Sequence, residues 1–235
     1  MVPFVFAIGL LAALLLLGSG PGARFGAWDF GFGFTLLRGA FYVGAAAAVL
    51  SAILLLVPTF RSQGAVKLGV ALVLGAIAAW VPWNGLQTAR SVPPIHDITT
   101  DTLTPPAFVD IAPLRADAPN PVSYEGEVIA EQQRDAYPDL QTIELSLAPA
   151  EAFERASQAA HAQGWDIVAE APADGRIEAS DTTFWFGFID DVVIRIEPSN
   201  GGSKLDIRSK SRVGRSDVGA NAARIRAFLE TLDAG

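Results

Sequence analysis

The side chains best suited to chemistry in this sequence are few and scattered. His96 and Asp97 are adjacent, and Asp101 follows four residues later, offering an imidazole and two carboxylates to a metal ion or to acid/base work. Asp190 and Asp191 form a second acidic pair. The chain has no cysteine and only one other histidine, His161, so a zinc site would draw most of its ligands from carboxylates. An Asp/Thr-rich turn, its side chains bonded to its own backbone, is the simpler account of residues 95–101. Asp190 and Asp191 read as the opening of a strand on its exposed edge. No metal, cofactor or catalytic set is expected, and no phosphate-binding loop, G-x-S-x-G elbow, HExxH motif or dinucleotide fingerprint occurs.

Two further constellations are suited to binding. Residues 182–191 read TTFWFGFIDD, which sets Phe184, Trp185, Phe186 and Phe188 together. Strand periodicity places Trp185 on one face of a hairpin and Phe184 and Phe186 on the other, with Gly187 in the turn. Either the arm of residues 92–140 folds over this patch and shields it, or the aromatics line an apolar pocket, enter a bilayer or meet a partner. The second constellation is basic. From Lys204 to Arg226 the balance is +5 inside an otherwise acidic region. Lys204, Asp206, Arg208, Lys210 and Arg212 share one strand face, which reads as solvated and paired across the sheet with Glu178 and Glu197. The alternative is an anion site, with Arg212 and Arg215 at a helix start, opened by Ser216, whose N–H groups favour negative charge, and with Arg195 and Arg208 as further candidate ligand-binding residues.

The elements that must position these residues are of two materials. Residues 1–84 carry only Arg24, Asp29, Arg38, Arg61 and Lys67, a balance of +3, while residues 85–235 stand at −11. Charge-free apolar runs at 4–17, 40–57 and 68–81 approach the length of about 20 residues that spans a bilayer. With their flanks they predict spans near ~3–20, ~39–58 and ~67–84. The first is read as a retained helix, with a cleaved signal peptide as its rival. The aromatic stretch GPGARFGAWDFGFGF after it reads as a loop at headgroup level. Arg61 and Lys67, unopposed by acids, assign the loop between the second and third spans to the cytoplasm. The acidic region then lies outside it, which predicts a multi-pass protein of the inner membrane with a periplasmic carboxyl-terminal domain.

Residues 85–141 hold many prolines and read as an extended arm that packs on the domain, with a short helix around 124–136. From Thr142 onward regular alternation and turn signals predict a strand, a helix, four strands and a helix over residues 142–235. Strands are expected near 165–169, 176–186, 192–198 and 204–211. The last helix is expected to open at Ser216, with Val218, Ala222, Ile225, Phe228 and Leu229 as its buried stripe. The fold class is α+β: a three-helix transmembrane region followed by an antiparallel, helix-grip-like domain.

The runs IHDITTD (95–101), PPAF (105–108), YPDL (137–140), GRIEA (175–179), TFWFGFIDD (183–191) and SRVGRSDVGANAARIRAFL (211–229) together resemble the family catalogued as domain of unknown function 1499. The resemblance covers residues 92–232, leaves out the membrane region, and implies that the arm belongs to the domain. It carries no activity and no catalytic residues. The expected function is a membrane-anchored, non-catalytic binding or scaffold module of the cell envelope. The alternatives are a domain that handles a lipid or apolar ligand, and a hydrolase built on His96, Asp97 or Asp190. Expected partners are the membrane and an envelope protein or an anionic or apolar lipid. Nucleic acid is excluded by the acidity.

Overall fold

The computed structural model describes residues 1–234 and divides into two compact units. One comprises Met1–Arg90 together with Phe184–Gly187, and the other comprises Ser91–Thr183 and the chain from Phe188 onward.

The first unit is built on three helices, α1 (Val2–Arg24), α2 (Phe30–Leu56) and α3 (Pro58–Ser91), each long and apolar enough to cross a membrane. They are longer than hydropathy alone predicts, and the connection between α1 and α2 shrinks to residues 25–29. Asp29 starts α2 early by accepting from the Phe32 N–H at 3.0 Å, which places the GFGF stretch on the helix rather than in a loop. Gly64 interrupts the helical dihedrals of α3, leaving a kink ahead of its apolar run. The helices meet through small residues. A Cβ added to Gly44 would lie 2.7 Å from the Gly75 carbonyl oxygen, and one added to Gly75 would lie 2.6 Å from that of Gly44. Where lipid tails are as apolar as leucine, such close backbone approach is what holds helices together.

The second unit is an antiparallel sheet in the order β1-β6-β5-β4-β3. Its strands are β1 (Asp97–Thr99), β3 (Asp166–Ala171), β4 (Arg176–Thr182), β5 (Ile189–Ser199) and β6 (Gly202–Ser211), and a short β2 (Ile143–Leu145) shares the β6 edge with β1. Helices α5 (Pro149–Ala162) and α6 (Ala220–Ala234) cover one face. The core there joins Phe153 and Ala156 of α5, Ile225 and Phe228 of α6, and Ile177, Val192, Ile194 and Ile207 of the sheet. Trp165 stacks on Phe228 with ring centroids 5.6 Å apart. The α+β class and the antiparallel strand order therefore agree with the periodicity of the sequence.

The differences lie in the proline-rich stretch and at the element ends. Residues 97–99 form β1, which the prolines concealed. Gln133 of α4 (Glu127–Ala136) completes the outer edge of that strand: its Oε1 accepts from the Thr99 N–H at 2.9 Å and its Nε2 donates to the Thr99 carbonyl at 2.6 Å. Ile95, Ile98, Tyr137 and Leu140 enter the main core. Helix α6 begins at Ala220, later than Ser216, because the Asp217 carboxylate gathers the N–H groups of Gly219 and Asn221. Val218, outside the helix, is 41% exposed and adopts φ 57°, so it does not join the buried stripe.

Candidate functional site

The aromatic stretch does not continue its strand. β4 ends at Thr182 and β5 begins at Ile189, leaving a loop at 183–188. The Thr183 N–H donates to the Phe188 carbonyl, and the Phe188 N–H donates to Thr183 Oγ1, both at 2.8 Å. Within it, Phe184–Gly187 belong to the membrane unit. Trp185 Nε1 donates to Ser19 Oγ at 3.3 Å, and its indole lies where a side chain on Gly20 would be: a Cβ there would stand 2.1 Å from Trp185 Cδ1. Phe186 packs against Phe34 at 4.9 Å and occupies the space above Gly33. Arg24 Nη1 donates to the Phe184 carbonyl at 2.7 Å. Gly187 turns the chain at φ 70°, a conformation that glycine adopts without steric cost. The glycines of α1 and α2 thus form a socket for two rings.

The second candidate is the sheet face opposite the helices. Strand alternation puts Asp97, Lys210, Asp191 and Ser180 in one row across β1, β6, β5 and β4, and Arg208, Val193 and Glu178 in the next. The sequence reading leaves this face solvated. Instead residues 100–125 cover it, with Phe108 and Ile111 packed on Val193. Lys210 is fully buried and Arg208 almost so. Burying such charges is costly unless each is paired and hydrogen-bonded, and each is. Asp97 accepts from Arg208 Nε and Nη2, both at 2.8 Å, and from Lys210 Nζ at 2.9 Å. Asp191 accepts from Arg115 Nη1 at 2.9 Å, from Ser180 Oγ at 2.7 Å, and from Arg212 through a fork at 2.9 and 2.8 Å. Asp206 holds Arg195, and Glu178 holds Arg176 while also accepting the Val109 and Ile111 N–H groups.

Electrostatics reinforces the covering segment. Burial pushes the Asp101 carboxyl up, but hydrogen bonds from the Thr104 hydroxyl, the Thr104 and Leu103 N–H groups and Arg195 outweigh it and bring the pKa to about 2. Asp101 therefore stays ionised against Arg195 through mildly acidic conditions. Burial, followed by the nearby Asp97 charge, pushes Tyr124 up to about 12. Its ring lies 5.4 Å from the Arg208 guanidinium, with Phe108 at 5.0 Å from the same group. Burial also lowers the Lys210 pKa, against the pull of Asp97.

The residues singled out in the sequence are thereby dispersed. Asp190 and Asp191 lie in a central strand, not on an exposed edge, and point to opposite faces. Asp190 receives Arg224 Nη2 of α6 at 2.7 Å, while Asp97 is held by Arg208 and Lys210 on the other face. The His96 ring sits apart from both, with Nε2 3.6 Å from Glu125 Oε1 and Nδ1 3.5 Å from the Arg215 carbonyl oxygen. His96, Asp97 and Asp190 do not share a cleft. Arg195, Arg208 and Arg212 are taken up in ion pairs, Arg215 is exposed, and Ser216 Oγ accepts the Val218 N–H. Arg115 and Arg224 are the buried cations that the sequence pattern does not reveal, while Lys210 and Glu178, expected on a solvated face, are buried.

Two open grooves mark the helix side of the second unit. One, of about 650 Å³, is lined by Leu147, Glu151, Arg155, Ala159 and Thr231 among others. The other, of about 480 Å³, lies at Phe153 and residues 172–175. Neither contains the aromatic loop or the covered ionic face. Among the described residues no group of three or more His, Asp or Glu is placed to hold a metal ion.

A search of curated proteins returns no match. The family model described as "Protein of unknown function (DUF1499)" matches residues 97–232, which takes in every strand of the second unit, helix α5 and all but the last two residues of α6. The chain belongs to the DUF1499 family, with three apolar helices placed ahead of the family domain.

Proposed function

We propose that this is a membrane-anchored, non-catalytic module of the cell envelope, with its polar unit on the extracytoplasmic side and a protein or lipid partner there. One observation carries the reading: every buried carboxylate, arginine and lysine of the polar unit is paired inside that unit. Asp97, Glu178, Asp190, Asp191 and Asp206 each hold an arginine or lysine, and Arg115, Arg208, Lys210 and Arg224 each hold a carboxylate. Catalytic groups are usually poised by an unbalanced environment, with a free lone pair or proton facing a cleft. These groups are instead neutralised, which suits a rigid scaffold. The orientation follows from Arg61 and Lys67 beside the α2–α3 junction, where basic residues mark the cytoplasmic side.

A second reading, binding of an anionic apolar ligand, has support in the larger groove. Arg155 lines it and, among the described residues, makes no ion pair; its Nε donates to the Leu232 carbonyl at 2.6 Å. The acidic rim residues Glu151 and Glu154 weigh against this reading. Topology reporters fused after Ser62 and after the last residue test the principal proposal. The expected result is a cytoplasmic signal at Ser62 and an extracytoplasmic signal at the carboxyl end. The reverse assignment would remove the envelope reading.

A further inference from the structure

The aromatic rings around the α1–α2 junction fall into two groups. Trp28, Trp185 and Phe186 are packed against Gly22, Gly20 and Gly33. Phe30, Phe32 and Phe34 remain about half exposed, and Phe25 and Phe184 largely so at 81% and 84%. Glycine-lined packing explains the first group and leaves the second unexplained. Soluble surfaces rarely carry such a concentration of exposed apolar rings.

Position along the helix supplies a surrounding for their exposed faces. At 1.5 Å per residue α1 is about 34 Å long, close to the ~30 Å hydrocarbon thickness of a bilayer. Its last turn, at Arg24, then falls at the boundary between acyl chains and headgroups, where aromatic rings are favoured and an arginine can extend towards water. Arg24 fixes the level of the loop by its 2.7 Å bond to the Phe184 carbonyl, and its guanidinium lies 5.9 Å from the Phe184 ring. Leu14 and Leu17, on the same spanning helix as Arg24, are exposed as well.

We infer that Phe184, far along the chain from the membrane helices, is a lipid-contacting residue. With Phe25, Phe30, Phe32 and Phe34 it forms an aromatic collar in the interfacial layer of the bilayer. This inference rests on the membrane reading of α1–α3. Its occupant is phospholipid at the headgroup–acyl boundary, and it adds a fourth chain segment to the membrane contact.

The absence of cysteine makes the test direct. Full-length chains carrying Leu14→Cys, Phe184→Cys or Ser62→Cys are labelled with an environment-sensitive fluorophore in phosphatidylcholine nanodiscs. The discs contain lipids bearing a nitroxide either near the headgroup or deep in the acyl chain, and aqueous iodide reports access from water. The expected result is several-fold stronger quenching at Phe184 than at Ser62 by the shallow nitroxide, with Leu14 favouring the deep one. A Phe184 probe that responds only to iodide, with Leu14 still quenched by lipid, would overturn the collar and leave the membrane reading standing. A Phe184 probe shielded from both quenchers would place a protein surface there and overturn it too. Loss of lipid quenching at Leu14 as well would remove the membrane reading and the collar together.

Discussion

Asp97→Ala destabilises the polar unit by about 3–5 kcal/mol, the cost typical of leaving a buried ion without its partner. The geometry explains why this single carboxylate matters. Its two oxygens receive three bonds from Arg208 and Lys210, and both cations lie beneath residues 100–125. Removing it leaves two adjacent buried positive charges. Lys210→Met is expected to cost far less, about 1 kcal/mol or below, because Asp97 keeps the Arg208 fork and methionine restores most of the stem. The Ser123 carbonyl, which accepts from Lys210 Nζ at 2.8 Å, loses a donor in that variant. Amide hydrogen exchange of β5 and β6 in the full-length chain separates the two: exchange rises sharply in Asp97→Ala and little in Lys210→Met. Equal effects would show that the pair is not organised around Asp97.

The second large effect belongs to the membrane unit. Trp185→Ala empties the space above Gly20 and removes the donor to Ser19 Oγ, which itself donates to the Leu16 carbonyl at 2.7 Å. For a half-buried indole the expected loss is about 2–4 kcal/mol, below the full range for a core tryptophan. Gly20→Val fills the same space from the other side and forces the ring out, at about 1–3 kcal/mol. Since both act on one contact, the double variant should cost little more than Trp185→Ala alone, a coupling of the kind neighbouring residues show. Thermal denaturation of the four proteins in micelles measures it. Simple additivity would mean that the ring and the glycine do not share space.

Where local pattern dictates structure, the sequence was readable. The α5 helix and the meander β3–β6 follow from apolar spacing and from the Asp174-Gly175 and Asn200-Gly201 turns, and the three apolar helices follow from their charge-free runs. β1 was hidden because its partner in β6 lies more than a hundred residues away and its outer edge is completed by the Gln133 side chain instead of another strand. The ionic face was misread for a related reason. Alternating Lys, Asp and Arg along β6 looks like a solvated surface, and only the long-range packing of Phe108 and Ile111 excludes the water. The aromatic run raised the right question but carried no sign of its socket, since Gly20 and Gly33 lie some 150 residues earlier and glycine leaves no pattern of its own. Arg115 and Arg224 were invisible for want of any periodic neighbour. Their roles depend on Asp191 and Asp190 projecting to opposite faces of β5.

The socket and the collar both require Phe184–Gly187 to be part of the membrane unit, and a single cross-link tests it. A Cβ on Gly187 would lie 3.3 Å from Arg24 Cβ, close to the ~3.5–4.5 Å separation found in disulfides. In this cysteine-free chain, Arg24→Cys combined with Gly187→Cys should oxidise readily within one molecule in native membranes, while Arg24→Cys combined with Ser62→Cys, near the opposite end of α1, should not. Failure of the first pair to close under oxidant, with both thiols still open to alkylation, would contradict the socket and return the four residues to the tip of a free hairpin.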